Sequence, residues 1–261
     1  MGESLKPEIR VFTDLENASH SLAEKIVEEA GEAVAKRGRF TLALSGGKTP
    51  GLLYSRLASE YSTKIEWPAV HLFWGDERYV PQEHPDNNFA MAYPALISKI
   101  PLPPQNIHCI NTGLENPGKA ADTYEEILRE FFRDSEAEDF PTFDVILLGM
   151  GKDGHTASLF PGSPVLDEKN RWVVAVQAPS SFSPKNRITL TLPVINKSIS
   201  VFFLVSGSEK ASVLKSILEE PDTAGKLYPA AMVKARRKLI WYVDEVAFKN
   251  ISSLPYKVVK F

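Results

Sequence analysis

Cysteine is nearly absent: 261 residues carry one, Cys109. A single thiol excludes an intramolecular disulfide and any zinc centre built from several thiolates. Its setting, Asn106-Ile107-His108-Cys109-Ile110, has apolar flanks and predicts a buried structural thiol, not a nucleophile. No run of ~18 apolar residues is present, and Met1 to Arg10 mixes charges with a proline and has no apolar stretch of the signal-peptide kind. A charge excess is missing as well: 30 Lys plus Arg stand against 33 Asp plus Glu, a net charge of −3. That balance gives no global field toward nucleic acid or membrane, but it is compatible with one local basic pocket. Internal repeats and low-complexity tracts are also lacking. Together these absences predict a soluble cytoplasmic protein without a nucleic-acid or membrane partner; the sequence leaves open whether it is a monomer or a small homo-oligomer.

What is present is an ordinary globular composition, 43% apolar and 24% charged. At ~150 residues per domain the length falls between one domain and two. Apolar or small residues at Leu22, Ile26, Ala30 and Val34 predict a helix over Asn17 to Lys36, stopped at Gly38. Further helices are predicted at Gly51–Tyr61, Thr123–Arg133 and Ser208–Leu218. Short apolar runs at Phe40–Leu44, Val70–Trp74, Phe143–Leu148, Trp172–Val176, Ile188–Leu192, Ser200–Val205 and Leu239–Val243 read as strands. Continuous apolar strands alternating with amphipathic helices predict an α/β fold: a mostly parallel sheet with helices on both faces. The prolines at Pro101–Pro104 and the stretch Glu219–Gly225 read as surface connections too short to be linkers. The expectation is one α/β domain over residues 1–261.

Three strand ends carry unusual chemistry, and ligands of open α/β sheets bind at the carboxyl ends of the strands. The first is Ser45-Gly46-Gly47-Lys48-Thr49-Pro50. Its glycines allow close backbone approach to an anion, a following helix would aim free N–H groups at it, and Ser45, Lys48 and Thr49 add donors and charge. The spacing is neither a Walker A loop nor a nucleophile elbow. The second is Asp76-Glu77-Arg78, two acids and an arginine directly after a strand; alone, it also reads as a salt-bridged loop. The third is Gly149-Met150-Gly151-Lys152-Asp153-Gly154-His155-Thr156-Ala157-Ser158-Leu159-Phe160-Pro161-Gly162. Here Asp153 is placed to orient the His155 imidazole, a group suited to general acid–base work. His20, His71, His84 and His108 have no comparable setting and read as structural or surface residues. Arg187, opening a strand, and Lys210, at a helix start, complete a candidate anion site.

In order and spacing these motifs, over about Val11 to Val243, resemble the glucosamine-6-phosphate isomerase/6-phosphogluconolactonase superfamily. The resemblance implies a modified Rossmann-like fold, a small phosphorylated sugar lactone as substrate, and neither cofactor nor metal. Two departures separate lactonase from deaminase. The deaminase pattern has an Asn-Glu-Pro ending whose glutamate supports ring opening, where this chain has Phe160 before Pro161. It also has a tyrosine after Asp-Glu, where this chain has Arg78. A phenyl ring transfers no proton, and a lactone needs no ring-opening relay. The resulting expectation has His155 as general base on a water, oriented by Asp153 and by a second carboxylate from Asp76 or Glu77. Arg78 would attend the oxyanion or the substrate hydroxyls. Ser45, Gly46, Gly47, Lys48, Thr49, Arg187 and Lys210 would hold the phosphate. An amino-sugar phosphate deaminase, or a silent sugar-phosphate sensor on the same fold, are the competing readings. Gln177 to Asn186 is a candidate lid.

Overall fold

The structure, a computed structural model, describes residues 6–133, 139–252, 254 and 256–261. Residues 1–5, part of the amino-terminal segment read above, lie outside the described residues. In chain order the strands are β1 (Glu8–Phe12), β2 (Phe40–Leu44), β3 (Val70–Trp74), β4 (Asp76–Arg78), β5 (Ile107–His108), β6 (Val145–Leu148), β7 (Val173–Gln177), β8 (Asn186–Leu190), β9 (Ser200–Val205), β10 (Lys238–Asp244) and β11 (Lys257–Lys260). Eight of them form one sheet in the order β11-β1-β10-β9-β6-β2-β3-β5, with every neighbouring pair parallel. Every residue of β2, β6 and β9 is buried. Side chains alternate between the faces of a strand, so unbroken burial means that both faces are covered, as continuous apolar runs predict.

The helices that cover the sheet begin and end where local chemistry dictates. In α1 (Leu15–Arg37), the Asp14 carboxylate accepts the Asn17 N–H, and Gly38 closes the helix at φ +70° with its N–H on the Val34 carbonyl. Next come α2 (Thr49–Ser59), α3 (Asn88–Ala95) and α4 (Pro117–Phe132). α4 starts six residues before the helix predicted at Thr123, because Asn116 caps it and Pro117 suits its first position. α5 (Leu192–Lys197) and α6 (Ala211–Glu219) follow; a 3₁₀ turn over Ser208–Lys210 replaces the first turn of the helix predicted from Ser208.

Two predicted strands leave the parallel sheet. β8 pairs antiparallel with β7 on one side and β4 on the other, giving a three-stranded sheet in the order β4-β8-β7. Gly75 joins the two sheets: its N–H donates to the Leu44 carbonyl and its carbonyl accepts the Leu190 N–H, each at 2.9 Å. Core residues of both sheets, among them Val173, Ile188 and Leu190, belong to one contiguous hydrophobic cluster.

Candidate active site

The connection after β2 leads toward β3 on one side, whereas that after β6 leads toward β9 on the other. β2 and β6 are neighbours, so the chain diverges between them and leaves a crevice at their carboxyl ends. A cavity of about 360 Å³ opens there. It is lined by residues that follow β2, β3, β6 and β9, with Arg187 from β8.

The loop after β2 is shaped for an anion. A Cβ at Gly46 would fall 1.9 Å from the Asn88 amide oxygen, and Gly47 sits at φ +96°. The Tyr54 phenol pins the loop by accepting the Ser45 N–H at 3.0 Å and donating to the Ser45 carbonyl at 2.7 Å. No side chain caps the start of α2 at Lys48, so its positive dipole end remains for a ligand, although Pro50 has no N–H and the Gly51 N–H donates to the Lys48 carbonyl at 3.3 Å.

β4 divides its three charges by alternation. Asp76 and Arg78 line the cavity, and the Asp76 carboxylate accepts the Ser158 hydroxyl at 2.7 Å. Glu77 points the other way, with no exposed surface. Its carboxylate accepts the backbone N–H groups of Arg78 (2.7 Å), Asn88 (2.6 Å) and Phe89 (3.0 Å), capping α3. Burial pushes this carboxyl up to about 8, against the pull of the three donors. The expectation that Glu77 shares in orienting the imidazole is therefore corrected: it does not line the cavity, because it is committed to the start of a helix. Asp76 does not touch His155 either; its partners are Ser158 and Asn88.

The glycine loop after β6 holds the imidazole. Nδ1 of His155 lies 2.6 Å from Oδ1 of Asp153. A carboxylate accepts only, so Nδ1 carries the proton, and in the neutral ring Nε2 holds the lone pair. Burial raises the Asp153 carboxyl, but the hydrogen bond and charge of His155 outweigh it and hold the group below its ordinary range. A Cβ at Gly151 would lie 2.2 Å from the ring, so glycine there makes room for it. Gly154 turns the chain at φ +79°, and Gly151 N–H closes the loop on the His155 carbonyl at 2.9 Å. Ala157, also lining the cavity, is held at φ +47°, a conformation that L residues with a Cβ adopt at a cost.

Four cations line the cavity with this imidazole, without ion-pair partners among the described residues. Arg187 is 5% exposed and sits opposite Arg78 in the β4–β8 register. Like charges so placed repel. Burial holds the Arg187 guanidinium below its ordinary range, only partly countered by Asp76. Arg78 donates to the Asp86 carbonyl at 2.8 Å, while its buried Nε has no partner. Burial likewise lowers the Lys210 ammonium. Lys48 lines the same cavity from an exposed position. An anion bound among them would remove the repulsion and supply the missing acceptors.

A comparison with known families now decides the affiliation: the model described as glucosamine-6-phosphate isomerases/6-phosphogluconolactonase matches residues 13–241. The chain belongs to this family. A 6-phosphogluconolactonase of Synechocystis is 43% identical over 84% of the chain and 88% of its own length. The chloroplastic 6-phosphogluconolactonase 3 of Arabidopsis thaliana is 39% identical over 96% and 77%. Among solved structures, the 6-phosphogluconolactonase from Trypanosoma cruzi superposes with a TM-score of 0.84 at 31% identity, covering 96% of this chain and 98% of that one.

Within this family fold, the sequence-predicted residues Ser45 to Thr49, Asp76, Arg78, His155, Arg187 and Lys210 all line the cavity, with Asp153 behind His155. Met150, Ala157 and Glu209 line it too and were not predicted. Glu209 had a signal, its place beside Lys210; the other two carry none in their side chains. The remaining histidines lie elsewhere: His71 pairs with His108 at 3.2 Å, His20 sits near Tyr61 and Glu60, and His84 is in a turn with Asp86. Cys109 is half-buried, and burial raises its thiol, disfavouring the nucleophilic form. No three His, Cys, Asp or Glu side chains gather as metal ligands among the described residues, and none of their helices is long and apolar enough to cross a membrane.

Proposed function

We propose that this chain hydrolyses 6-phospho-D-glucono-1,5-lactone to 6-phosphogluconate, the lactonase step of the oxidative pentose phosphate pathway. The observation that carries the reading is the Asp153–His155 pair, 2.6 Å apart, set in one cavity with cations that have no carboxylate partner. Nε2 of His155 takes a proton from water as the water oxygen attacks the lactone carbonyl carbon. The tetrahedral oxyanion then collapses, the bond to the ring oxygen breaks, and the imidazolium returns its proton to that oxygen. Asp153 keeps the proton on Nδ1 and stabilises the imidazolium between the two transfers. Such a positioned base contributes ~10²–10⁴-fold. Arg78 attends the oxyanion or the neighbouring hydroxyls. The phosphate lies against Arg187, Lys210 and Lys48 and the open start of α2, with Ser45, Gly46, Gly47 and Thr49 shaping its seat.

Phe160 supports the lactonase over the deaminase. It is 1% exposed and packs against His155 with centroids 4.8 Å apart, at the position where a ring-opening glutamate would stand. We also propose a cytoplasmic setting, as its composition suggests; several plant relatives are named chloroplastic and one of Arabidopsis thaliana is not, and cell fractionation decides between the two.

The test is a coupled assay with freshly made 6-phosphogluconolactone, corrected for spontaneous hydrolysis. His155→Ala is expected to lower kcat by about 10³-fold with the fold intact. Unchanged kcat would overturn the assignment, and release of ammonia from glucosamine 6-phosphate would favour the deaminase.

A further inference from the structure

The base and the anion site rest on a shared aromatic support. The His155 ring touches Phe160, and it touches Phe182 with centroids 5.2 Å apart and planes at 90°. Phe160 and Phe182 touch each other at 5.2 Å, so the three rings close a triangle. Arg187 lies over the Phe160 ring at 5.9 Å, and its Nε donates to the Pro184 carbonyl at 3.0 Å. Pro184 and Phe182 belong to the β7–β8 loop, which is closed by Ala178 N–H on the Lys185 carbonyl (2.7 Å) and Phe182 N–H on the Pro179 carbonyl (2.9 Å).

A single side-chain hydrogen bond to Asp153 fixes one nitrogen of the imidazole but leaves the ring free to tilt about that contact. The two phenyl rings remove that freedom, Phe182 by meeting the imidazole at a right angle. Arg187 commits Nε to the loop and keeps its terminal N–H groups for a ligand. A phosphate that fixes the guanidinium therefore also fixes the Pro184 carbonyl and, two residues earlier, Phe182.

We propose that Phe182 is a positioning residue that holds the His155 imidazole in line with Asp153, and that occupancy of the Arg187 anion site tightens this hold. The proposal rests on the site reading given above. Binding of a remote, non-reacting group then serves to orient the base, so the substrate phosphate contributes to kcat as well as to affinity.

The test uses D-glucono-1,5-lactone, which lacks the phosphate, with and without inorganic phosphite as a separate anion, alongside the phosphorylated lactone. In the native protein, saturating phosphite is expected to speed hydrolysis of the unphosphorylated lactone by about 10-fold or more. Phe182→Ala should abolish that acceleration and lower kcat on the phosphorylated lactone by about 10–100-fold, with KM changed little. Calorimetric phosphite binding should persist, which a general loss of structure would not allow. Phe182→Leu, which keeps apolar bulk, should recover part of both effects, and it provides the same readout if the alanine variant fails to fold. The proposal is overturned if phosphite does not accelerate the native protein, or if the Phe182 variants keep native kcat or change KM alone. Unchanged kcat in His155→Ala overturns the site reading instead, so the two failures are distinguishable.

Discussion

Both ends of the parallel sheet carry clusters of Lys and Arg, built on opposite plans. At the amino-terminal end, Arg10 meets Glu8 at 2.6 Å, Lys25 bridges Glu28 and Glu29 at 2.6 and 3.3 Å, Arg237 meets Glu32 at 3.0 Å, and Lys238 pairs with Glu29. A cavity of about 190 Å³ lies among these groups, already neutralised by its own carboxylates. At the carboxyl end, Arg78, Arg187 and Lys210 line the larger cavity with no such pairs among the described residues. The number of cations does not separate the two ends; direct pairing with carboxylates at one, and its absence at the other, does. Cations withdrawn from water without a partner make a site for an external anion, whereas paired ones contribute modestly to stability.

The sharpest way to break this contrast is to neutralise one cation at each end and compare. Arg187→Met keeps the stem over Phe160 and removes the charge. It should lower kcat/KM for the phosphorylated lactone by about 10–100-fold, as loss of charge-assisted hydrogen bonds does. A variant with native kcat/KM would remove Arg187 from the anion site. Next in size, Glu77→Ala removes the acceptor of three backbone N–H groups, one buried and two half-buried, and should destabilise the fold by about 3 kcal/mol in urea titration. Turnover of the protein that remains folded should stay near native; its loss would return Glu77 to the catalytic set.

A smaller effect concerns acid. Burial, with His71 alongside, lowers His108 from its ordinary 6.5 to about 4. The native state keeps His108 neutral while the unfolded chain protonates it, so stability is full above pH ~6.5 and declines as pH falls toward ~4. Allowing for partial exposure, the loss is about 1–2 kcal/mol, and His108→Phe should flatten the slope in denaturation curves taken across that window. The smallest effect completes the comparison: Arg237→Met should cost under ~1 kcal/mol and leave kcat/KM unchanged. A catalytic defect there would mean that the paired cluster is functional after all.

What could be read from the residues follows the same physics. β2, β3, β6, β9 and β10 are legible because burial on both faces makes them continuous apolar runs. β1 carries a weaker signal, because the alternation of Glu8 and Arg10 with Ile9 and Val11, the two-residue period of a half-buried strand, runs over only a few residues. β4 is three charged residues and is a strand only because β8 pairs with it. That missing knowledge explains the misplacing of Glu77. Once Asp76–Arg78 is a strand, the two-residue period puts Asp76 and Arg78 on one side and Glu77 on the other. The glycine loop was legible because Gly151, Gly154 and His155 encode its geometry locally. The support from Phe182 was not, since only tertiary folding brings that loop to the imidazole.

Gly75 has a mechanical consequence. One residue is bonded through its N–H to the end of β2 and through its carbonyl to the end of β8, so the small sheet cannot slide or hinge on the large one without breaking both bonds. The guanidinium pair of Arg78 and Arg187 therefore stands on a stiff bracket, fixed with respect to the crevice between β2 and β6. The β7–β8 loop, with Phe182 and Pro184, extends from this bracket as a hairpin tip beside the cavity, so its contacts with His155 and Arg187 are carried on the same frame.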